Sequence, residues 1–149
     1  MTELEIGHYR LAVDEEETAR QYAALPPYAG NDVGIRLFRH CLKQLASADE
    51  AFLRSLGIAP EKLCAARPLA EPDERGEVLF LCACRLCGTL SSPEESPRRS
   101  ASHGGLQLTF TGDRRSFTPS LADFPAPEIE MRFVASLSFD PDYLKEMFS

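Results

Sequence analysis

Residues 77–90 read EVLFLCACRLCGTL, an apolar run rich in strand-compatible residues that follows the turn-forming DERG at 73–76. Two later stretches show what kind of sheet this strand joins. In GLQLTFTG, at 105–112, Leu106, Leu108 and Phe110 alternate with Gln107, Thr109 and Thr111. In PEIEMRFVASLSF, at 127–139, Ile129, Met131, Phe133, Ala135, Leu137 and Phe139 alternate with Glu128, Glu130, Arg132 and Ser136. A period of two with one apolar side is the pattern of an antiparallel sheet covered on one face and wet on the other. The row Glu128, Glu130 and Arg132 is therefore expected to face water. Between the strands, SSPEESPRRSASHGG at 91–105 has too few large apolar groups to pack, which predicts an exposed, flexible loop closing a long hairpin.

The N-terminal half has a different period. ELEIGHYRLAV at 3–13 puts Tyr9, Leu11 and Val13 on one face of a strand, and Asp14 then offers an N-cap for EEETARQYAAL. Glu15, Glu16 and Glu17 favour the positive end of that helix, and Pro26-Pro27 stops it. Asn31 or Asp32 can cap a second helix in which Val33, Leu37, Phe38, Cys41, Leu42 and Leu45 form one apolar stripe. A third helix opens at Ser47 or Asp49, runs through Phe52, Leu53 and Leu56, and stops at Gly57. Pro60 suits the start of a short helical turn carrying Leu63 and Cys64 inward before Pro68, and Asp140-Pro141 opens a C-terminal helical stub with Tyr143, Leu144, Met147 and Phe148. Helices and strands are segregated along the chain. That order predicts an α+β fold: a mainly antiparallel sheet of about four strands with three to four helices packed on one face, residues 1–149 forming a single domain with a flexible loop at about 91–105.

Composition narrows the function classes. The 149 residues are 44% hydrophobic and 26% charged, the profile of a globular domain that can bury its own core. A net charge of −7 works against phosphate backbones and anionic lipid, so neither nucleic acid nor a membrane is expected as a partner. No apolar run approaches the roughly 20 residues of a spanning helix, and MTELEIGHYR lacks the regions of a secretory signal, which makes the cytoplasm the expected compartment. The five cysteines are an odd set and are expected to be reduced.

Three of them, Cys82, Cys84 and Cys87, form C-x-C-x-x-C, and thiolates so spaced can hold zinc if Cys41, Cys64 or His103 supplies a fourth ligand. Strand geometry opposes this. It places Cys82 and Cys84 on one face with Phe80 and Leu86, and Cys87 on the other unless Gly88 marks a bulge. Buried packing of small, apolar thiols explains the cluster more simply. His8, His40 and His103 are scattered, and Cys41 beside His40 is no nucleophile–base pair, since adjacent helical positions point about 100° apart. Glu15 to Glu17 open a helix, and Glu94-Glu95 lie in the expected loop. No catalytic residue and no cofactor is implied. The polar side of the second helix carries Arg36, Arg39, His40 and Lys43, a basic face that is either solvated or a surface for a partner.

Three pieces also carry a resemblance: Leu25-Pro26-Pro27-Tyr28; Phe52-Leu53-Arg54-Ser55-Leu56-Gly57-Ile58 with Pro60 and Lys62; and LTFTGDRRSFTPS with EIEMRF. Together they resemble a group of small, uncharacterised bacterial proteins with an LPPY segment, a short Cys-containing helix and an FLxxLGIxPxK pattern. Members of that group look as if they carry closely spaced cysteines after LPPY, where this chain has Asn31, Asp32, Val33 and Gly34. The group has no established activity, so the resemblance implies a bacterial, cytoplasmic protein and adds no chemistry. Small size, acidity and the lack of a catalytic signature point to a noncatalytic protein-binding domain, immunity-like or accessory. A thiolate zinc protein and an enzyme with an unrecognised pocket are the alternatives.

Overall fold

The computed structural model describes residues 1–25, 33–63, 65–91, 100–118, 124–125, 127–138 and 142. The Pro26-Pro27 stop, the Asn31 or Asp32 cap, Cys64, positions 92–99 of the expected loop and the stub at 143–148 lie outside them. The strands are β1 (Thr2–Ile6), β2 (Tyr9–Val13), β3 (Ala65–Pro68), β4 (Glu77–Leu90), β5 (Ala101–His103), β6 (Leu106–Thr111) and β7 (Glu128–Ser138). The helices are α1 (Glu15–Ala24), α2 (Val33–Cys41) and α3 (Ser47–Ser55), with 3-10 turns at Leu42–Gln44, Pro60–Lys62 and Arg114–Ser116. None of these helices is long and apolar enough to cross a membrane.

The fold is α+β with an antiparallel sheet, but among the described residues the sheet has seven strands rather than about four. Its order is β1-β2-β4-β7-β6-β5, with β3 also paired to β4. Three features account for the difference. The expected single strand over 3–13 folds back on itself at Gly7, whose φ of +58° is a turn conformation, and Ile6 pairs with Tyr9. The chain after the Pro60–Lys62 turn becomes β3 instead of continuing as a helical segment, pairing Ala66 with Cys82. Residues Ala101–His103, assigned to the flexible loop, pair with β6 as β5, and Ala101 is buried.

One face of the sheet is the core. Leu11 and Val13, Phe80, Cys82 and Leu86, Leu106 and Leu108, and Ile129, Met131 and Phe133 all point into it. The amphipathic stripe of α2 lays Phe38 against this surface, its ring 6.0 Å from Phe80 and 6.5 Å from Phe133 in edge-on contacts. From α3 come Leu53 and, just beyond it, Leu56, both buried. Asp49, one of two expected caps for α3, does another job: its carboxylate accepts the Gly105 N–H at 3.1 Å and pins the β5–β6 turn to the helix. A Cβ at Gly105 would stand 2.7 Å from that carboxylate, which is why the turn ends in glycine. His103 lies 4.0 Å from Phe52 on the same seam.

Not every helix packs on that face. β4 pairs along one edge with β3 through Ala83 and with β2 from Gly88, which leaves backbone groups between them to be satisfied. α1 fills the gap. Asp14 donates its N–H to the Cys87 carbonyl at 2.8 Å, the Cys87 N–H donates to the Thr18 hydroxyl at 3.0 Å, and the Tyr22 hydroxyl donates to the Arg85 carbonyl at 3.1 Å. Asp14 also caps α1 as expected, accepting from the Glu17 N–H. Lys62 closes the other end by donating to the carbonyls of Tyr22 and Leu25. The FLxxLGIxPxK residues are thus fold-making: Leu53, Leu56, Ile58 and Pro60 are buried, and Lys62 caps α1.

Candidate functional site

The strand register separates the cysteines. Cys82 and Cys84 face the core, where Cys84 donates its thiol to the Met131 carbonyl at 3.6 Å. Pairing continues through Cys87 opposite Glu128 and Gly88 opposite Val13, so no bulge turns Cys87 toward the other two. Burial pushes the Cys82 thiol well up, with Cys84 beside it adding to the effect. Cys87 is raised too, by burial first, although the Thr18 hydroxyl works in the opposite direction. Among the described residues no three His, Cys, Asp or Glu side chains converge to hold a metal ion. His103, a possible fourth ligand, sits against Phe52. Burial thus moves Cys82 and Cys87 away from the thiolate form that binds a metal.

The basic side of α2 is partly used by the fold. Arg36, His40 and Lys43 are exposed along one stripe. Arg39 is half-buried, and its Nε donates to the Glu61 carbonyl at 3.1 Å, tying α2 to the turn at Pro60–Lys62.

The second face of the sheet departs most from expectation. Glu128 and Glu130 were expected to face water, yet their side chains are 0% and 1% exposed. The cover is the segment after β6, which makes a 3-10 turn at Arg114–Ser116 and continues through Phe117 and Thr118 as a strap over the end of this face. Ionic contacts hold it down. Arg114 reaches Glu128 at 2.6 Å, and Arg85 lies 3.8 Å from the same carboxylate. Arg85 also donates to the Thr118 carbonyl at 2.6 Å and places its guanidinium 5.2 Å from the centre of the Phe117 ring. Glu130 accepts from the Thr118 N–H with one oxygen and from Arg132 Nε, at 2.6 Å, with the other.

Among the described residues the strap covers only part of the face. Beyond Thr118 run the cross-strand rows Ala65–Ala83–Arg132 and Arg67–Leu81–Val134–Gln107, in which Arg67 and Gln107 are exposed, Ala83 is buried and the rest are half-buried. Past them stand Leu79 and Leu69, 51% and 47% exposed, joined by a hydrogen bond from the Leu69 N–H to the Leu79 carbonyl. A shallow depression of about 350 Å³ sits where the strap and these rows meet, lined by Ala65–Arg67, Leu81–Ala83, Thr118 and Arg132. Two signals in the sequence mark this site. Arg85 is the lone cation inside the apolar run of β4, and it faces Glu130 across the pairing with β7. Leu79 is an apolar residue on the outward period of the same strand.

No protein-family model, no curated protein and no solved structure matches this chain.

Proposed function

We propose that this chain is a noncatalytic protein-binding domain and that its contact surface is the open half of the second sheet face. The observation that carries the reading is the pair Leu69 and Leu79, about half-exposed at the end of the face that also carries Arg67, on a sheet whose other end is strapped down. Leucine and arginine side by side on a flat, rigid platform are suited to a partner, because burying the leucines contributes energy while the arginines set orientation. Catalysis gains no such support. The buried carboxylates Glu128 and Glu130 are engaged with arginines and the strap, so neither is poised over a cavity to move a proton.

The test is affinity capture from the native host at low salt with three forms of the protein: wild type, Leu79→Asp, and the α2 double variant Arg36→Glu/Lys43→Glu. A stoichiometric partner held by the wild type and the α2 variant and lost from Leu79→Asp is the expected result. A partner lost only from the α2 variant would move the surface to the basic helix. Absence of any stoichiometric partner would sink the reading.

A further inference from the structure

We infer that the depression between Arg67 and Arg132 seats a carboxylate side chain of an acidic polypeptide, a seat that deepens the protein-binding reading above and rests on it. The hollow has a sequence cause. Ala65 and Ala83 face each other across the β3–β4 pairing, and Ala83 faces Arg132 across the β4–β7 pairing, so two methyl groups lie where neighbouring rows carry leucine or valine. At about 350 Å³ the depression is at the small end of ligand cavities, roughly 300–1,000 Å³, and suits one side chain better than a whole cofactor.

Charge decides what that side chain is. Arg67 on β3 and Arg132 on β7 both line the hollow, from strands two spacings, about 10 Å, apart and from adjacent cross-strand rows. Arg132 is oriented in advance by Glu130, which the Thr118 N–H holds in turn. Arg67 is exposed and has no ion-pair partner among the described residues. Among the described residues Glu128 pairs with Arg85 and Arg114, and Glu130 with Arg132. Arg67 is the cation on this face that neither carboxylate pairs with among the described residues. Planar guanidinium groups match a carboxylate in geometry. The alanine and leucine walls suit the methylenes of glutamate, and Leu69 and Leu79 nearby suit apolar neighbours in the same segment.

The probe is a terminally blocked peptide of alternating Leu and Glu, compared with its Leu/Gln counterpart and with inorganic phosphate. Binding is followed through the amide NMR signals of Ala65, Arg67, Ala83 and Arg132. We expect saturable shifts with the Glu peptide, binding at least about tenfold weaker for the Gln peptide and for Arg67→Gln, and further weakening as salt rises. Ala65→Leu, which fills the hollow without removing charge, is expected to weaken binding comparably. Equal binding of the two peptides, no saturable shift with the Glu peptide, or the same shifts from phosphate at equal concentration would each overturn the carboxylate seat. The two readings fail separately: a captured partner lost from Leu79→Asp but fully retained by Arg67→Gln would remove the seat and leave the binding domain standing. A partner indifferent to Leu79→Asp would remove the domain reading itself.

Discussion

The two faces of this sheet are closed by different means, and β7 shows both within single residue steps. Toward the core it sends Ile129, Met131 and Phe133 into an apolar layer under α2, where close packing leaves no room for error. Toward the other side it sends Glu128, Glu130 and Arg132, which are covered by a short strap held through guanidinium–carboxylate contacts and one cation–ring contact. Packing is nearly non-directional, so the core face depends on filled apolar volume and not on particular partners. The ionic face is directional, so each of its members depends on a specific partner. Removing side chains on either side of one strand ought to separate the two behaviours.

The largest effect is expected from Phe133→Ala, which empties a fully buried ring position and should cost about 3–5 kcal/mol in denaturant unfolding. Val134→Ala, one residue away on the half-buried second face, should cost no more than about 1 kcal/mol. Comparable losses would erase the distinction between the faces. Next is Glu128→Ala, expected at about 2–3 kcal/mol because Arg85, mostly buried, loses its carboxylate while Arg114 can return to water. Combining it with Arg85→Leu should cost less than the sum of the single changes, with a coupling of about 1 kcal/mol or more; strict additivity would show that the pair is not a unit.

Sequence reading recovered the core face far better than this ionic one, for physical reasons. A strand's inward period is written in its own residues, which is why β4, β6 and β7 were legible from alternation alone, as was the Asp14 cap. β3 and β5 were not. At four and three residues they have little pattern of their own, and they are strands only because β4 and β6 offer paired edges. Alternation in the polar row of β7 reports polarity and not cover. Its burial depends on the strap in the connection between β6 and β7, which has no period of its own. The turn at Gly7 was present in the sequence, yet the flanking alternation runs through it without a break.

Smaller effects are expected from the buried thiols. Cys82 is held protonated in the folded protein, whereas an unfolded thiol ionises near pH 8.5. The folded pKa is raised, so the associated stability is complete below about pH 8.5 and falls as pH climbs through and above it, by at most about 1.4 kcal/mol per pH unit. Urea melts between pH 7 and 10 check this, and Cys82→Ala should flatten the decline. Native Cys82 should also resist thiol reagents at neutral pH; rapid labelling would contradict its place in the core. Asp49→Ala comes next, at about 1–2 kcal/mol, since it releases the Gly105 N–H and unpins the β5–β6 turn. Faster amide exchange at Gly105 without change at Phe133 would localise the effect.

The smallest change in stability bears directly on the open face. Leu79 and Leu137 lie near the same end of the sheet, but Leu137 is 2% exposed on the core side while Leu79 is 51% exposed on the other. Leu→Thr keeps a strand-compatible, branched side chain at both positions, so the comparison isolates burial from strand propensity. At Leu137 it should cost about 2–4 kcal/mol, by introducing a hydroxyl and losing volume in a packed layer. At Leu79 it should change stability by less than about 0.5 kcal/mol, the ordinary range for a surface position, because the folded domain buries little of that side chain. A change that small would leave the side chain available to a partner. If Leu79→Thr instead costs more than about 2 kcal/mol, the side chain is covered in solution by the domain itself, and the platform for a partner proposed here does not exist.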